Sequence, residues 1–184
     1  MKRPLTIGIA VACFVVSTVG FVLFQYEAKA LSWHARHGFT QRWNDFEIHV
    51  PLKYDVNAIS SRSIQIFALP GRLRAGLKAP FGVISIFHAK DDADGTEMAG
   101  LDDRIASASQ GQGFRLVNTR SLDIAGTPMH CREQLSENFR SYGPAYVVHC
   151  QAESKLLFAS FQGSAALLVE FYTVASGIRV AKGK

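Results

Sequence analysis

The stretch HCREQLSENFRSYGPAYVVHC, residues 130–150, decides how the centre of the chain folds. It begins and ends with the same His-Cys pair, and its two halves have the pattern of strands on either side of a turn. A turn around Arg140 and Ser141 places Cys131 directly opposite Cys150. The stretch therefore predicts a β-hairpin with two facing cysteines.

Facing residues of a hairpin have Cβ atoms about 4.5–5.5 Å apart, which a modest adjustment brings to disulfide distance. In an oxidising compartment the sequence thus predicts a Cys131–Cys150 disulfide, which would stabilise the fold by roughly 3 kcal/mol. A turn centred on Gly143-Pro144 would remove the match. Two buried free thiols are then the alternative.

A zinc site built from the two His-Cys pairs is disfavoured. Adjacent side chains of a strand point to opposite faces, so His130 and Cys131 do not easily reach one metal ion, and the same holds for His149 and Cys150. The stretch also lacks the Cys-x-x-Cys spacing of structural zinc sites. His130 and His149 are expected as surface or half-buried side chains about 7–8 Å apart on a diagonal.

Two further patterns in the sequence lack the ligands of a metal site. His34 and His37 have helical spacing, but their segment offers no third ligand. An EF-hand alignment of the acidic residues 91–97 puts Lys90 in the first position and Leu101 in the twelfth, where carboxylates are required. The sequence therefore predicts no metal and no cofactor, and residues 91–97 are expected to form a solvated loop before a helix.

Residues 5–24 are twenty consecutive positions without a charge. At about 1.5 Å of helix rise per residue they span roughly the 30 Å core of a bilayer. Lys2 and Arg3 precede them, which favours an N-terminus in the cytoplasm. The prediction is one transmembrane helix of the inner (cytoplasmic) membrane, within a segment over residues 1–30, and a domain facing the periplasm or the cell exterior.

Two alternatives concern the same segment. Ala28-Lys29-Ala30 has the small-x-small spacing of a signal-peptide cleavage site, although the apolar run is longer than the roughly 15 residues typical of signal peptides. Cys13 raises the alternative of a lipoprotein, but the residues before it fit a lipid-attachment motif poorly.

Beyond this segment the sequence predicts a polar connector over residues 31–43 and one domain over residues 44–184. That length suffices for a core that buries about two-thirds of the unfolded surface. Residues 31–184 carry 17 Lys and Arg against 14 Asp and Glu, a net charge of +3. This weak charge does not favour a nucleic-acid partner.

Hydrophobic patterning divides the domain into strands and helices. Alternating side chains predict a strand over residues 46–50 and another over 64–68, and the apolar residues 81–90 predict a central strand that is covered on both faces. These three strands are expected to form an antiparallel meander. Strand-turn-strand patterns follow in the second half.

Two stretches have helical periodicity instead. The first contains Met98, Leu101, Ile105 and Ala108; the second has Ser164 as a possible N-cap and an apolar stripe made of Leu168, Phe171, Tyr172, Ala175 and Ile178. The order strands, helix, strands, helix predicts an α+β fold. Its mostly antiparallel sheet is packed with two main helices as an α/β/α sandwich, and the N-terminal transmembrane helix precedes it.

Several small motifs occur in this order: FEIHVP at residues 46–51, an Ile-x-Gly-x-Pro-like hairpin at Ile124 to Pro128, and SFQG at residues 160–163. With the terminal amphipathic helix, they resemble the PsbP-like α/β/α sandwich superfamily over residues 44–180. The resemblance implies a protein that binds partners rather than a catalyst, because members include photosystem assembly proteins and bacterial envelope lipoproteins. No catalytic residue is carried over.

The sequence contains no recognisable catalytic motif. A Gly-x-Ser-x-Gly elbow, a Ser-x-x-Lys motif, a His-Glu-x-x-His helix and a phosphate-binding loop are all missing from it. The paired carboxylates Glu133 and Glu137 are expected to be exposed strand residues. The prediction is therefore that the protein is not an enzyme.

One loop, residues 70–80, combines cations with apolar residues. The simplest interpretation is a solvated connection, and the sharper one is a binding loop whose charges meet an acidic partner or lipid headgroups. Its candidate residues are Arg72, Leu73, Arg74, Leu77 and Lys78.

Together these patterns predict a membrane-anchored, non-catalytic extracytoplasmic domain. It would bind an envelope protein partner or support assembly of an envelope complex. A carrier of lipid or another small ligand is the first alternative and needs a substantial apolar pocket. A hydrolase is the second, and it needs Ser, His and a carboxylate in one cleft.

Overall fold

The computed structural model describes residues 3–69, 80–89, 101–139, 143–152 and 157–181. Within these residues the chain forms three α-helices, α1 (Arg3–His37), α2 (Leu101–Gly111) and α3 (Leu168–Ser176). The first five strands are β1 (Thr40–Trp43), β2 (Phe46–His49), β3 (Asp55–Ile59), β4 (Ser63–Ala68) and β5 (Gly82–His88). The others are β6 (Arg115–Ile124), β7 (Thr127–Ser136), β8 (Ala145–Ala152), β9 (Leu157–Ser164) and β10 (Arg179–Val180).

Seven strands form the main sheet in the order β3-β4-β5-β9-β8-β7-β6, and every neighbouring pair is antiparallel. The predicted α+β class with a mostly antiparallel sheet is confirmed. The strand expected over residues 81–90 is β5, which pairs on both sides and is largely buried.

The helices α2 and α3 lie on opposite faces of this sheet. Glu133 and Gln134 are neighbours on β7, so their side chains point to opposite faces. Glu133 accepts a hydrogen bond from Tyr172 of α3, whereas the Gln134 amide lies 3.4 Å from the Ala106 carbonyl of α2. The expected sandwich of helix, sheet and helix is therefore present.

Each face of the sheet has its own apolar cluster. The larger one lies between the sheet and α3, and the smaller one lies on the α2 face, where five buried residues pack with Ile105. The smaller cluster consists of Phe81, Phe114, Phe139, Ala145 and Val147.

The predicted order of the first strands needs correction. The strand expected over residues 46–50 is β2, but it does not join the main sheet, because it pairs with β1 and β10 in a separate three-stranded sheet. The amide of Ala181 also donates to the carbonyl of Asp45 over 2.7 Å. The C-terminal end of the chain thus occupies the edge of β2, and the meander of the main sheet is β3-β4-β5.

The connector predicted over residues 31–43 is not what the structure shows. Helix α1 continues to His37, and β1 follows almost directly. Ala30 and Trp33 are buried, and the Lys29 ammonium lies 2.6 Å from a carboxylate oxygen of Asp55 on β3. This part of α1 belongs to the domain, because the tryptophan supplies apolar surface to the main core.

The apolar start of α1 is bent rather than straight. Among the described residues, no single helix is both long and apolar enough to cross a membrane. The segments Gly8–Phe21 and Phe24–His37 pass that test only as a pair, with a bend of 73° between them. Phe24 itself has a non-helical backbone conformation.

The last helix begins later than its pattern suggests. Ser164 does not cap α3 but ends β9, where its hydroxyl accepts a hydrogen bond from the Phe81 amide over 3.1 Å. A single 3₁₀ turn, Ala165–Leu167, separates it from α3. The predicted apolar stripe does face the core, because Phe171, Ala175 and Ile178 are buried.

The hairpin β7–β8 has the predicted register. Cys131 pairs with Cys150, and the two residues form a disulfide that closes a separation of 19 residues. The amide of Phe139 donates to the Gly143 carbonyl over 3.0 Å on the approach to the turn. The predicted turn residues Arg140 and Ser141 lie outside the described residues.

Replacing both cysteines, C131A with C150A, is expected to lower the free energy of unfolding by about 3 kcal/mol, because the unfolded chain regains the entropy of an open loop. Urea unfolding in the absence of reductant measures the loss. C13S is the matched control, because Cys13 is exposed and unpaired, and its transition should not move. An unchanged transition in the double variant would contradict the stabilising role.

Trp33→Ala is expected to cost about 3–5 kcal/mol of unfolding free energy, because the indole is buried in the core. Leu31→Ala, on the exposed side of the same helix, should change it by no more than about 0.5 kcal/mol. Equilibrium unfolding of the detergent-solubilised chain compares the two. Equal effects would mean that this segment does not pack on the domain.

Candidate functional site

The α2 face of the main sheet carries an unusual number of polar side chains. Strand pairing places one polar residue of each of six strands side by side, so that together they form a row across the sheet, called here the cross-sheet polar row. Its members are Thr119, Arg132, His149, Ser160, Ser85 and Gln65. Covered sheet faces are usually apolar, so this row marks a candidate functional surface.

His149 lies at the centre of the cross-sheet polar row and is fully buried. His130 is exposed, and the register places the two on the predicted diagonal. The expectation of a surface or half-buried side chain is thus wrong for His149, because the α2 face is covered there. Within the described part of the chain, no group of three or more His, Cys, Asp or Glu side chains is arranged to hold a metal ion.

A cleft of about 270 Å³ opens between α2 and the sheet. Its polar lining consists of hydroxyl and amide groups that donate or accept hydrogen bonds, and its apolar lining comes from both elements. The lining residues are Val83, Ser85, Ile105, Ala108, Ser109, Gln112, Val147, Ser160, Phe161 and Gln162. Such a cleft suits a small molecule, or a side chain of a partner, that has both apolar and polar groups.

The cleft gives little support to either alternative function, a carrier of lipid or another small ligand or a hydrolase. Pockets for drug-sized ligands occupy about 300–1,000 Å³ and are mainly apolar. The exposed lining of this cleft is also more apolar than polar, but its volume is small for a lipid. Its described lining includes three serines but neither a histidine nor a carboxylate. His149 lies directly opposite Ser160 in the strand pairing, but neither it nor a carboxylate lines the cleft, so the described lining does not contain the serine, histidine and carboxylate of a hydrolase site.

Strand β6 forms one end of the main sheet, and its outer edge carries apolar side chains. Leu116 is 54% exposed and Val117 44% exposed. A bulge interrupts the pairing with β7 between Leu116 and Asn118. Exposed strand edges are templates for pairing with another chain, and most proteins protect them with charge or cover. This edge is therefore a second candidate surface.

The opposite end of the sheet differs, because the edge strand β3 is contacted by α1. Lys29 reaches both Asp55 and Asn57 of that strand, at 2.6 Å and 3.2 Å. Strand β3 also has a bulge, between Val56 and Ala58, and an exposed apolar residue, Ile59, so the contact with α1 is what distinguishes this end of the sheet from β6.

The binding loop predicted at Arg72, Leu73, Arg74, Leu77 and Lys78 lies outside the described residues. The acidic residues 91–97 lie outside them as well. The hypotheses about both segments stay predictions.

A buried carboxylate occupies the α3 face of the sheet near β6. Glu133 was expected to be exposed but is buried, and its Oε1 lies 2.9 Å from Nε of Arg120 and 2.5 Å from the Tyr172 hydroxyl. The Asn118 amide reaches its other oxygen over 3.3 Å, and the Arg120 guanidinium lies 4.4 Å from the centre of the Tyr172 ring. The predicted exposure of Glu137 is confirmed.

These contacts satisfy a charge that would otherwise be costly to bury. They join α3 to β6 and β7 and thus brace the sheet beside the exposed edge. Sequence patterning missed the cluster, because alternation alone shows which face a residue occupies but not whether a distant helix covers it.

Two tyrosines on the α3 side have perturbed acidity. Burial raises the pKa of Tyr172, and its hydrogen bond to the Glu133 carboxylate raises it further. Burial likewise raises the pKa of Tyr54, with an added contribution from the negative charge of Glu170. Both hydroxyls therefore stay protonated in the folded protein well above the ordinary tyrosine pKa of about 10.

The raised values predict a loss of stability in alkali. The folded state holds these two protons more tightly than the unfolded state, so their contribution is complete below about pH 10 and is lost as the pH rises above it. Tyr172→Phe and Tyr54→Phe should each flatten the fall in unfolding free energy between about pH 9 and pH 11. Tyr26→Phe, outside both clusters, is the control, and equal slopes in all variants would contradict the prediction.

Comparison with solved structures gives a neighbour with a similar fold. No protein-family model matches the chain, and no curated protein matches it. The structure is similar to the solution structure of cyanobacterial PsbP (CyanoP) from Synechocystis sp. PCC 6803, with a TM-score of 0.46 and 16% sequence identity over 77% of this chain and 92% of that one. This neighbour agrees with the PsbP-like resemblance predicted from the sequence, and the likeness carries nothing about activity or partners.

Proposed function

We propose that this chain is a membrane-anchored extracytoplasmic domain that binds a protein partner and supports assembly of an envelope complex. The partner would pair with the outer edge of β6. The observation that carries the proposal is the exposure of Leu116 and Val117 on a ten-residue edge strand.

The membrane part of the proposal is supported by the first segment of α1. Apolar side chains such as Phe14, Val16 and Phe21 are exposed there, although exposure of large apolar side chains to water is unfavourable. Lipid would remove them from water. Lys2 and Arg3 at the start of the chain favour the orientation in which the domain lies outside the cytoplasm.

The extracytoplasmic part is supported by the Cys131–Cys150 disulfide. Disulfides persist mainly in oxidising compartments and are rare in the cytosol. The disulfide lies on β7, the strand that pairs with β6, so an oxidising compartment would also stabilise the strand next to the proposed interface.

Strand addition explains why a partner would prefer this edge. A peptide that adds to a sheet gains a ladder of main-chain hydrogen bonds, and apolar side chains beside the ladder add contact area. Two features favour a particular partner over indiscriminate aggregation. The bulge after Leu116 limits the length of regular edge, and the ion pairs Arg115–Glu137 and Arg120–Glu133 place charged groups on both sides of the exposed apolar residues.

The proposal predicts site-specific crosslinking in cells. A photo-crosslinking amino acid at Val117 of the full chain should give a discrete product with one protein, whereas the same group at Val169 on α3, which is 74% exposed, should not. Mass spectrometry of the product would identify the partner. The charge of Leu116→Lys should weaken strand addition and reduce the product severalfold.

Val169→Lys is the matched charge control and should leave the Val117 product unchanged. A chain that yields no discrete product from Val117 in intact cells, or yields equal products from both positions, would rule out a partner at this edge. Urea unfolding of both lysine variants ensures that the comparison is made between folded proteins.

A further inference from the structure

The bend in α1 separates two segments with different surroundings. The first segment, Gly8–Phe21, exposes apolar side chains along its length, and the second, Phe24–His37, packs on the domain. Their axes differ by 73°, and the break lies next to Phe24. The second segment is thus neither a straight extension of the first nor a loose tether.

Several contacts hold the second segment on the domain. Ala30, Trp33 and His34 are buried on one side of it. The two ring nitrogens of His34 lie 2.9 Å from the Gly38 carbonyl and 3.1 Å from the Pro51 carbonyl, so the end of the helix contacts the loop after β2. With the Lys29–Asp55 ion pair at 2.6 Å, these contacts determine how the helix is oriented on the domain.

The other side of the second segment is apolar but exposed. Phe24 and Leu31 are 52% and 53% exposed, and Ala28 and Ala35 are exposed between and beyond them. At 3.6 residues per turn these four positions fall within an arc of about 60° on the helix surface. They form a continuous apolar stripe, called here the outer stripe, on the side away from Ala30.

We propose that the outer stripe rests on the membrane surface, so that Phe24–His37 is an interfacial helix that presses one side of the domain against the lipid headgroups. The inference rests on the proposed membrane anchoring of the first segment. Gly8–Phe21 is part of the uncharged run over residues 5–24. If the helix of that run crosses the bilayer along its normal, a bend of 73° leaves the second segment about 17° from the membrane plane, since 90° minus 73° is 17°. The outer stripe begins at Phe24, the last residue of the uncharged run.

The exposed charges beside the outer stripe fit a lipid surface, because Glu27, the acidic residue next to Ala28, is partly buried. Arg36 is exposed in the last turn, close to Ala35 of the stripe, and His37 follows it. Basic residues on the polar flank of an interfacial helix attract anionic headgroups, while the apolar side is buried at the boundary of the acyl chains. A helix that is bound to the domain on one side and to lipid on the other would give the domain one defined orientation on the membrane.

Spin labels on the full chain in vesicles of phosphatidylethanolamine and phosphatidylglycerol test this placement. In a C13S background, single cysteines replace Ala28 or Ala35 on the outer stripe, and a cysteine at Val169 serves as the control in water. The expected result is severalfold greater collision with dissolved oxygen than with a water-soluble nickel complex at positions 28 and 35, and the reverse at position 169. Leu31→Glu should shift both stripe labels toward the aqueous result.

The outcomes separate this inference from the proposed anchoring. If the chain does not co-sediment with the vesicles, the proposed membrane anchoring is wrong, and the interfacial helix, which depends on it, is wrong as well. If it co-sediments while positions 28 and 35 collide as freely with the nickel complex as position 169 does, the anchor stands and the interfacial helix is overturned. Co-sedimentation with shielded stripe labels supports both.

Discussion

The antiparallel pairing of β7 with β8 determines what the two faces of the main sheet present to the rest of the molecule. Side chains of a strand alternate with a period of two, so a slip by one residue would exchange every inward and outward position. In the observed register Glu133 faces α3 and Gln134 faces α2. The Cys131–Cys150 disulfide makes any slip of this pair impossible without breaking a covalent bond.

Polar groups on both faces of the sheet depend on this register. On the α3 face Glu133 meets Arg120 and Tyr172, which compensate the cost of burying its charge. On the α2 face His149 is buried at the centre of the cross-sheet polar row, which also contributes Ser85 and Ser160 to the lining of the cleft. Each face of the sheet thus carries polar groups as well as an apolar cluster: the Glu133 contacts on the α3 face and the cross-sheet polar row on the α2 face. Strand β6 contributes a residue to each of these polar groups.

The N-terminal helix connects this sheet to the proposed membrane anchor. Because Trp33 is part of the main core and Lys29 pairs with Asp55, the helix end moves with the sheet. An anchor joined in this way would restrict the rotation of the domain as well as its distance from the membrane. A partner that pairs with β6 would then meet the edge in a limited range of orientations.

Much of the fold could be predicted from the sequence, because the deciding signals are local. Alternation of apolar residues predicted the strands, and the helical stripe through Phe171 and Ala175 predicted α3. The pairing of Cys131 with Cys150 followed from the expected position of one turn. A run of twenty uncharged residues likewise determined the apolar character of the N-terminus.

Only the tertiary structure decided which polar residues are buried and where the ends of the chain pack. Glu133 is covered by a tyrosine 39 positions away, Lys29 reaches a strand 28 positions away, and β10 joins β2 from the far end of the chain. The sequence determines which face of an element a side chain occupies, because that depends on the local period of the backbone. Whether that face is then covered depends on elements that are distant in the sequence, so the local pattern of residues cannot predict it.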